Sequence, residues 1–307
     1  MSERCIIEFD KTAAEWVVVA YASGDARMID VVESGKDPHL ITGSLISHVP
    51  EALVKEEDAL VKHTTDAIEI EEIRRKKLPK LFTITSSDGP IFLPRTMSIR
   101  QCGKKSNHGL NYIMGPVEFA NFAEMEQSET KKVIHLYTRT AYPSVPIWWE
   151  SVKRKLKQDR TLDNCFGRRV ILYDPLGPEL VKKGVAFTPQ STVFDLTRIG
   201  MERMYADSDL MSRWDILAQV HDSVTSQAII NNWKQLAKDC IKIGLDYMNS
   251  ECEYSGRSFR IGTDLKIGPT WGEHGMEKVA LTKDIDKLSS DLKKAWSRTN
   301  AAQKDAA

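Results

Sequence analysis

The chain has 307 residues, of which 41% are hydrophobic and 28% are charged, and its formal net charge is zero. This length and apolar fraction exclude a peptide hormone or an isolated tail and predict one or two folded domains. Zero net charge gives no global basic field for nucleic acid, although short basic runs occur at residues 74–80, 153–157 and 168–169.

The cysteines and the N-terminal sequence indicate in which cellular compartment the protein is found. The five cysteines stand singly, without the spacing of a zinc site or a disulfide framework. The N-terminus lacks the regions of a signal peptide, and no apolar run approaches the length of about 18 residues that suggests a membrane span. We therefore expect a soluble, cytoplasmic protein with no membrane partner.

The first predicted elements are a strand and a helix. Residues 4–10, RCIIEFD, predict a short buried strand that ends at Asp10, and residues 12–22 have helical periodicity. Thr12 and Glu15 form a T-x-x-E capping box, which by itself accounts for Glu15. The sequence thus predicts a carboxylate at the end of a strand.

The next segment, residues 47–96, is highly charged. Apolar residues at helical spacing within 51–77 predict exposed amphipathic helices. Residues 81–94 predict a β-hairpin with its turn at 87–89. The segment is either a variable insertion or a partner-docking surface, and the sequence does not decide between them.

A regular stripe follows, in which Arg100, Lys104, His108 and Tyr112 recur every four residues. In a helix they advance by about 40° per step and span roughly 18 Å on one face. Two cations followed by two rings suit the phosphates, sugar and base of a nucleotide. The alternative is an ordinary solvated face, but nearby glycine and asparagine residues are poor helix formers, so the pattern needs a reason beyond folding.

Two later segments present polar side chains. Residues 187–195, FTPQSTVFD, carry Gln190 just before a predicted helix, where a surface glutamine that caps the helix is an equal alternative. Residues 214–224, WDILAQVHDSV, form an apolar run that enters a tight turn at His221 and Asp222. Beyond them the pattern predicts a helix over 227–248, a strand over 258–272 and a helix over 284–296.

Together these segments resemble the motifs of family A (polymerase I type) DNA polymerases, in the family's order. The D-x-x-x-x-E pattern from Asp10 to Glu15 is similar to motif A, RxxxKxxxxGxxY at 100–112 to motif B, and QVHD at 219–222 to motif C. The NHGLNY string resembles the bacteriophage branch. The sequence departs from the usual family pattern at Val17, His108, Ile113, Ser191 and Ser223.

The resemblance implies a metal site at Asp10 and Asp222, which would bind two Mg²⁺ ions, with the backbone carbonyl of Lys11 as a further contact. The residues agree with this, because two carboxylates at strand ends of one sheet would repel each other unless a cation were bound. Glu15 would act as a steric gate against the ribose 2′-hydroxyl.

The resemblance also implies substrate contacts. Arg100 and Lys104 would grip the triphosphate, and Lys104 would protonate the departing pyrophosphate. His108 would press against sugar and base, and Tyr112 would stack at the template position. The primer strand would be contacted by Gln190, Gln219 and His221.

The expected fold is α+β, with an antiparallel palm sheet backed by helices, a mainly helical fingers subdomain and no thumb. The predicted boundaries are 1–40 for palm, 41–159 for fingers, 160–297 for palm again and 298–307 for a disordered tail. The insertion at 47–96 and motif B at 100–115 lie within the fingers.

The expected function is template-directed DNA synthesis on primer-template DNA from deoxynucleoside triphosphates, in the host-cell cytoplasm if the chain is phage-encoded. It would need a separate polypeptide that carries a thumb and, as in many family members, a 3′–5′ exonuclease. The alternative is a non-catalytic remnant that binds DNA or nucleotide. A template-dependent RNA polymerase is a third reading, and Glu15 as a sugar gate argues against it.

Overall fold

A computed structural model describes residues 3–86, 90–272 and 275–306. The chain divides into two compact units. The first, called here the sheet unit, comprises Met1–Glu15, Asn164–Arg168 and Pro189–Ala307. The second, the helical unit, comprises Trp16–Asp163 and Arg169–Thr188. This division into units does not test the predicted boundaries between palm and fingers, which stay a prediction.

The strands are β1 Arg4–Lys11, β2 Thr161–Asp163, β3 Arg169–Ile171, β4 Trp214–Val220, β5 Ser223–Ile229, β6 Cys252–Tyr254, β7 Arg257–Phe259, β8 Thr263–Gly268 and β9 Glu277–Val279. Five of them form one antiparallel sheet in the order β4-β5-β1-β8-β9. The pairs β2-β3 and β6-β7 are separate two-stranded ribbons.

The helices are α1 Ala14–Ser23, α2 Ala26–Glu33, α3 Pro38–Ser47, α4 Glu51–Val61, α5 Ala67–Lys77, α6 Ile99–Leu110, α7 Pro116–Ala123, α8 Gln127–His135, α9 Ser144–Gln158, α10 Pro178–Ala206, α11 Ser208–Met211, α12 Trp233–Ile241 and α13 Ile285–Ala306. Over the described ranges, none of them combines the length and the apolar character needed to cross a bilayer. The predicted α+β class with an antiparallel sheet is confirmed.

The core of the sheet unit lies on one face of the sheet. Alternate residues of β1, namely Cys5, Ile7 and Phe9, are buried there, as the two-residue period of a strand requires. Helices α12 and α13 contribute to the same core, with Leu288 and Leu292 of α13 one turn apart. The opposite face of β1 therefore carries Glu8 and Asp10.

The helical unit is held together by a close crossing of α3 and α6. A Cβ atom built on Gly103 would lie 2.2 Å from the carbonyl oxygen of His39 and 2.5 Å from the backbone nitrogen of Gly43. Only glycine allows two helix backbones to come this near. Close packing against α3 thus explains a glycine in the segment that carries the predicted stripe.

Three sequence predictions are wrong in detail. The predicted hairpin over 81–94 starts instead within a short 3₁₀ helix, Pro79–Thr83, in which Leu81 is buried in the cluster that includes Ile99. The predicted turn at 87–89 lies outside the described residues. Residues 227–229 belong to β5, and α12 starts only at Trp233, where Asn232 caps it. Helix α13 continues to Ala306, through most of the predicted disordered tail.

Candidate active site

Two aspartates meet at one end of the sheet. Asp10 lies near the end of β1, opposite Ser223 of β5 and Asp264 of β8. Asp222 precedes Ser223 in the turn between β4 and β5, and its carboxyl is near enough to that of Asp10 for its charge to raise the Asp10 pKa. The register of the sheet therefore brings together two residues that are far apart in the sequence.

The β4-β5 hairpin presents Asp222 in a two-residue turn. His221, the first residue of the turn, has a φ of 53°, a left-handed conformation that fits the right-handed twist of paired strands. The hydroxyl of Thr197 on α10 donates to the carbonyl oxygen of Asp222 at 3.5 Å. The side-chain amide of Gln219 donates to the carbonyl oxygen of His221, also at 3.5 Å. Thus α10 and β4 both contact this turn.

Burial and like charge make this carboxylate pair unfavourable when ionised. Burial, followed by the negative charge of Asp222, raises the pKa of Asp10 to about 6. Burial and the charge of Glu15 raise the pKa of Asp222 above its ordinary value. The site therefore favours a proton or a cation between the two carboxyls.

Further charges surround Asp10 on the same face of the sheet. Glu8 lies two residues before it on β1 and is paired with Lys266 of β8. The ammonium of Lys266 lies 3.9 Å from a carboxylate oxygen of Asp10 and lowers the pKa of that carboxyl, against the larger effect of burial. Asp264 forms an ion pair with Lys278 at 2.6 Å. Sequence reasoning missed these residues, although the alternating charges in EFD and TDLK were a signal for them.

Lys11 and Glu15 follow Asp10 in the same unit. The Lys11 ammonium is buried and donates to the carbonyl oxygen of Met248 and to the hydroxyl of Thr263, the latter at 3.0 Å. Its side chain is thus engaged inside the protein, and any metal contact from Lys11 would have to come from the backbone, as predicted. Glu15 is half-buried in the first turn of α1, and its charge acts on Asp222.

In the helical unit, α6 carries the predicted stripe. Lys104 and His108 are exposed, and Arg100 is half-buried, with its Nε donating to Asp37 at 2.7 Å. The helix ends at Leu110, so Tyr112 is not on it but in the turn that follows. Ile113, at a φ of 61°, breaks the helical path there. The four-residue stripe is therefore confirmed for three positions and wrong for the fourth.

A buried polar network lies under the stripe. The Asn107 side-chain oxygen accepts from the hydroxyls of Thr42 at 3.0 Å and Tyr137 at 3.3 Å, and Tyr137 also donates to Asn111 at 2.7 Å. The ring centroid of His39, which the Asn107 amide also contacts, lies 5.7 Å from that of His108. Burial lowers the pKa of His39 to about 4, so this ring is neutral at pH 7. Both asparagines thus have hydrogen-bonding roles, which accounts for Asn107 within α6 despite its low helix propensity.

Gln190 lies exposed on α10, in the part of that helix that belongs to the sheet unit. It precedes Thr197 by seven residues, so both lie on nearly the same side of the helix, about 10 Å apart along its axis. The same part of α10 carries Asp195, which accepts two hydrogen bonds from the Arg168 guanidinium, at 2.8 and 2.6 Å. Sequence analysis treated Arg168 only as part of a basic run and did not predict this pair.

The carboxylate pair fits a magnesium ion. Across the described part of the chain, no group of three or more His, Cys, Asp or Glu side chains could hold a metal ion. Mg²⁺, however, is commonly bound by one or two carboxylates, with water and substrate phosphates as its other ligands. Asp10 and Asp222 offer such a donor set, and a bound cation would relieve the repulsion between their negative charges.

Comparison with known proteins decides the family. A sequence model described as DNA polymerase family A matches residues 92–273, which is more than half of the chain. The chain belongs to DNA polymerase family A. The matched region contains the α6 stripe, Gln190 and the turn with Asp222, whereas Asp10 and Glu15 precede it.

The fold agrees with this assignment. The structure of the POL domain of Pol1 from M. smegmatis, in complex with DNA primer-template and dNTP, matches with a TM-score of 0.63 and 17% sequence identity. The match covers 88% of this chain and 40% of that chain, so the family A chain described here spans less than half the length of the structure it resembles. A search of curated protein sequences found no match.

The raised carboxyl pKa leads to a prediction for this family A chain without metal. The folded Asp10 pKa of about 6 lies above the value of about 3.9 in an unfolded chain, so the folded state binds its proton more tightly. The contribution of Asp10 to the free energy of unfolding should therefore fall as pH rises from about 4 to about 6, by about 1–2 kcal/mol after allowance for solvent exposure. Urea unfolding in EDTA at pH 4.5 and pH 7 measures the change.

The matched variant is Asp222→Asn, which removes the neighbouring charge and should make that fall in stability smaller. The control is Asp286→Asn, at an exposed ion pair with Lys234 on the surface of the same unit. Equal pH dependence in the wild type and in Asp222→Asn would contradict the assigned cause.

Proposed function

We propose that the chain is the catalytic portion of a template-directed DNA polymerase that adds deoxynucleotides to a primer 3′ end. The observation that carries the proposal is the pair of neighbouring carboxyls, Asp10 and Asp222, at one end of the sheet. Membership of DNA polymerase family A supports the same reaction. Phosphoryl transfer requires charge neutralisation and alignment of atoms rather than a covalent catalyst, and two such carboxylates suit that need.

Asp10 and Asp222 are the proposed magnesium ligands, with the carbonyl of Lys11 as an additional oxygen donor. A pair of Mg²⁺ ions, when bound, would stabilise the charge of the attacking and leaving oxygens. The two aspartates fix where that positive charge lies, because Asp10 is paired within the sheet and Asp222 is in the tight turn that joins two of its paired strands. Glu15, whose charge already acts on Asp222, is the proposed gate that excludes a ribose 2′-hydroxyl.

The residues of the helical unit are proposed to bind the incoming nucleotide. Arg100 and Lys104 lie one turn apart on α6 and carry the positive charge needed for a triphosphate. Lys104 is exposed and is proposed to protonate the leaving pyrophosphate. His108 and Tyr112 are proposed to contact the base and the template position.

Gln190, Gln219 and His221 are the proposed primer contacts. Gln219 and His221 belong to the hairpin that presents Asp222, and Gln190 lies on the helix that contacts the same turn through Thr197. A primer end bound by these polar side chains would have its 3′-hydroxyl beside the carboxylate pair. The proposal includes a bacteriophage-like lineage, a cytoplasmic location and a separate polypeptide that supplies the thumb.

Primer extension with Mg²⁺ and deoxynucleotides tests the proposal directly. The purified chain is assayed alone and with a candidate thumb polypeptide, with Asp222→Asn as the inactive control. Extension by the chain alone supports catalysis without a thumb, and extension only in the mixture supports a two-polypeptide enzyme. Failure under both conditions, with circular dichroism confirming folded protein, would favour the non-catalytic remnant.

A further inference from the structure

An ion pair is buried within the segment that sequence analysis left without a function. Glu57 of α4 and Arg74 of α5 have side-chain exposures of 0% and 2%, and Arg74 Nε donates to Glu57 Oε1 at 3.0 Å. Taking two charges out of water costs several kcal/mol for each ion unless further hydrogen bonds compensate. The remaining partners of the pair therefore indicate what it is for.

Those partners all belong to the chain that enters α6. Arg74 donates to the carbonyl oxygens of Pro94 at 2.6 Å and Met97 at 3.0 Å. Glu57 Oε2 accepts from the backbone nitrogen of Ile99, the first residue of α6, at 2.9 Å. The pair thus holds three backbone groups within the six residues that lead into this helix.

Neighbouring residues complete the same connection. Ser98 caps α6 by accepting from the backbone nitrogen of Gln101 at 3.1 Å, and its hydroxyl also contacts Asp58, the residue after Glu57. The first backbone amides of a helix lack partners within the helix, and a carboxylate placed there also interacts favourably with the helix dipole. The N-terminus of α6 is therefore anchored to α4 by two consecutive acidic residues.

This anchoring bears on the nucleotide-binding residues. Arg100 follows Ile99 directly, and Lys104 lies one turn further along α6. Bonds that fix the first turn of a helix fix its direction and its rotation about its own axis, and so the direction of the side chains on its exposed face. An apolar pair of the same volume could fill the space but could not bind the carbonyls of Pro94 and Met97 or the amide of Ile99.

We propose that Glu57 and Arg74 are positioning residues that set the orientation of α6, and thereby the affinity for the incoming nucleotide. The inference rests on the proposed function, because it requires that Arg100 and Lys104 bind the triphosphate. It gives the 47–96 segment a role in supporting the N-terminus of α6.

The test compares two variants of the full chain with the wild type. Glu57→Gln keeps the shape of the side chain but removes the charge opposite Arg74. Arg74→Lys keeps the charge but loses the planar fork that reaches three acceptors, and it guards against misfolding of the first variant. The control is Asp239→Asn, which breaks the largely buried pair of Arg213 and Asp239 in the sheet unit, far from α6 in sequence.

Two readouts separate positioning from general stability. Amide hydrogen exchange is followed in peptides that cover residues 98–104, and the binding of a fluorescent deoxynucleoside triphosphate, mant-dATP, is titrated with Mg²⁺ present. We expect faster exchange in that peptide and about tenfold weaker mant-dATP binding in Glu57→Gln, with a smaller effect in Arg74→Lys. In primer extension, the KM for nucleotide should rise by a similar factor with little change in kcat.

Three other outcomes would count against the positioning role. Faster exchange with unchanged mant-dATP affinity would overturn the positioning role and leave a purely structural pair. An equal loss of affinity in Asp239→Asn would also overturn it, because general destabilisation would then explain the effect. A wild-type chain that binds no mant-dATP would count against the proposed function itself, and the positioning role would fall with it.

Discussion

Primer extension by the Asp222→Asn chain is expected to be slower than by the wild type by about 10³-fold, which corresponds to about 4 kcal/mol of transition-state stabilisation. The substitution keeps the size of the side chain and its place in the hairpin turn, but it removes one of two carboxylates that would hold a divalent cation. Asp10→Asn should have an effect of the same order. Single-turnover extension of a labelled primer by one nucleotide measures the rate of the chemical step.

Asp264→Asn is the matched control for this loss. Asp264 lies directly opposite Asp10 in the sheet, but its carboxylate is paired with Lys278 at 2.6 Å. We therefore expect a rate within about tenfold of the wild type, since a partly exposed pair of this kind contributes little beyond local charge. A loss in Asp264→Asn as large as that in Asp222→Asn would show that total negative charge, and not the specific pair, is what matters.

The second large effect is expected on stability. Replacing Gly103 by alanine normally stabilises a helix by about 1 kcal/mol, but here the new methyl group would lie 2.2 Å from the His39 carbonyl oxygen and 2.5 Å from the Gly43 nitrogen. Both are backbone atoms, so α3 and α6 would have to separate. We expect a net loss of about 2 kcal/mol or more in the free energy of unfolding, measured by urea denaturation.

Gly115→Ala provides the comparison within the same unit. A Cβ atom there meets nothing within 4 Å, and the residue, with a φ of −74°, does not need the freedom of glycine. Because Gly115 is the residue before α7, the substitution should cost less than about 1 kcal/mol. If the two variants had the same stability, the close helix crossing would not be the reason for Gly103.

Sequence reasoning worked best where a local pattern carries the chemistry. The strand that ends at Asp10 and the turn that presents Asp222 both follow from short apolar runs, and the structure brings the two residues together. The helical stripe was predictable for Arg100, Lys104 and His108 because their spacing is local. Tyr112 was placed wrongly because the end of the helix depends on Ile113, whose left-handed conformation no period reveals.

The remainder depends on contacts between distant residues. Glu57 and Arg74 looked like charges on exposed helices, since neither the burial of the pair nor its backbone partners can be inferred from one sequence. The same holds for Lys266, which comes near Asp10 only through the register of β1 and β8. Gly103 could be recognised as a poor helix former, but its reason lies in α3, sixty residues earlier.

The repulsion between Asp10 and Asp222 also has a consequence for protein engineering. If the metal-free fold is strained by two neighbouring carboxyls, replacing either of them should make the chain more resistant to heat. A laboratory screen that ranks variants only by survival at high temperature, in the presence of a chelator, would then enrich chains that have lost these acids. A selection for thermal stability of this protein should therefore also require DNA synthesis in every round.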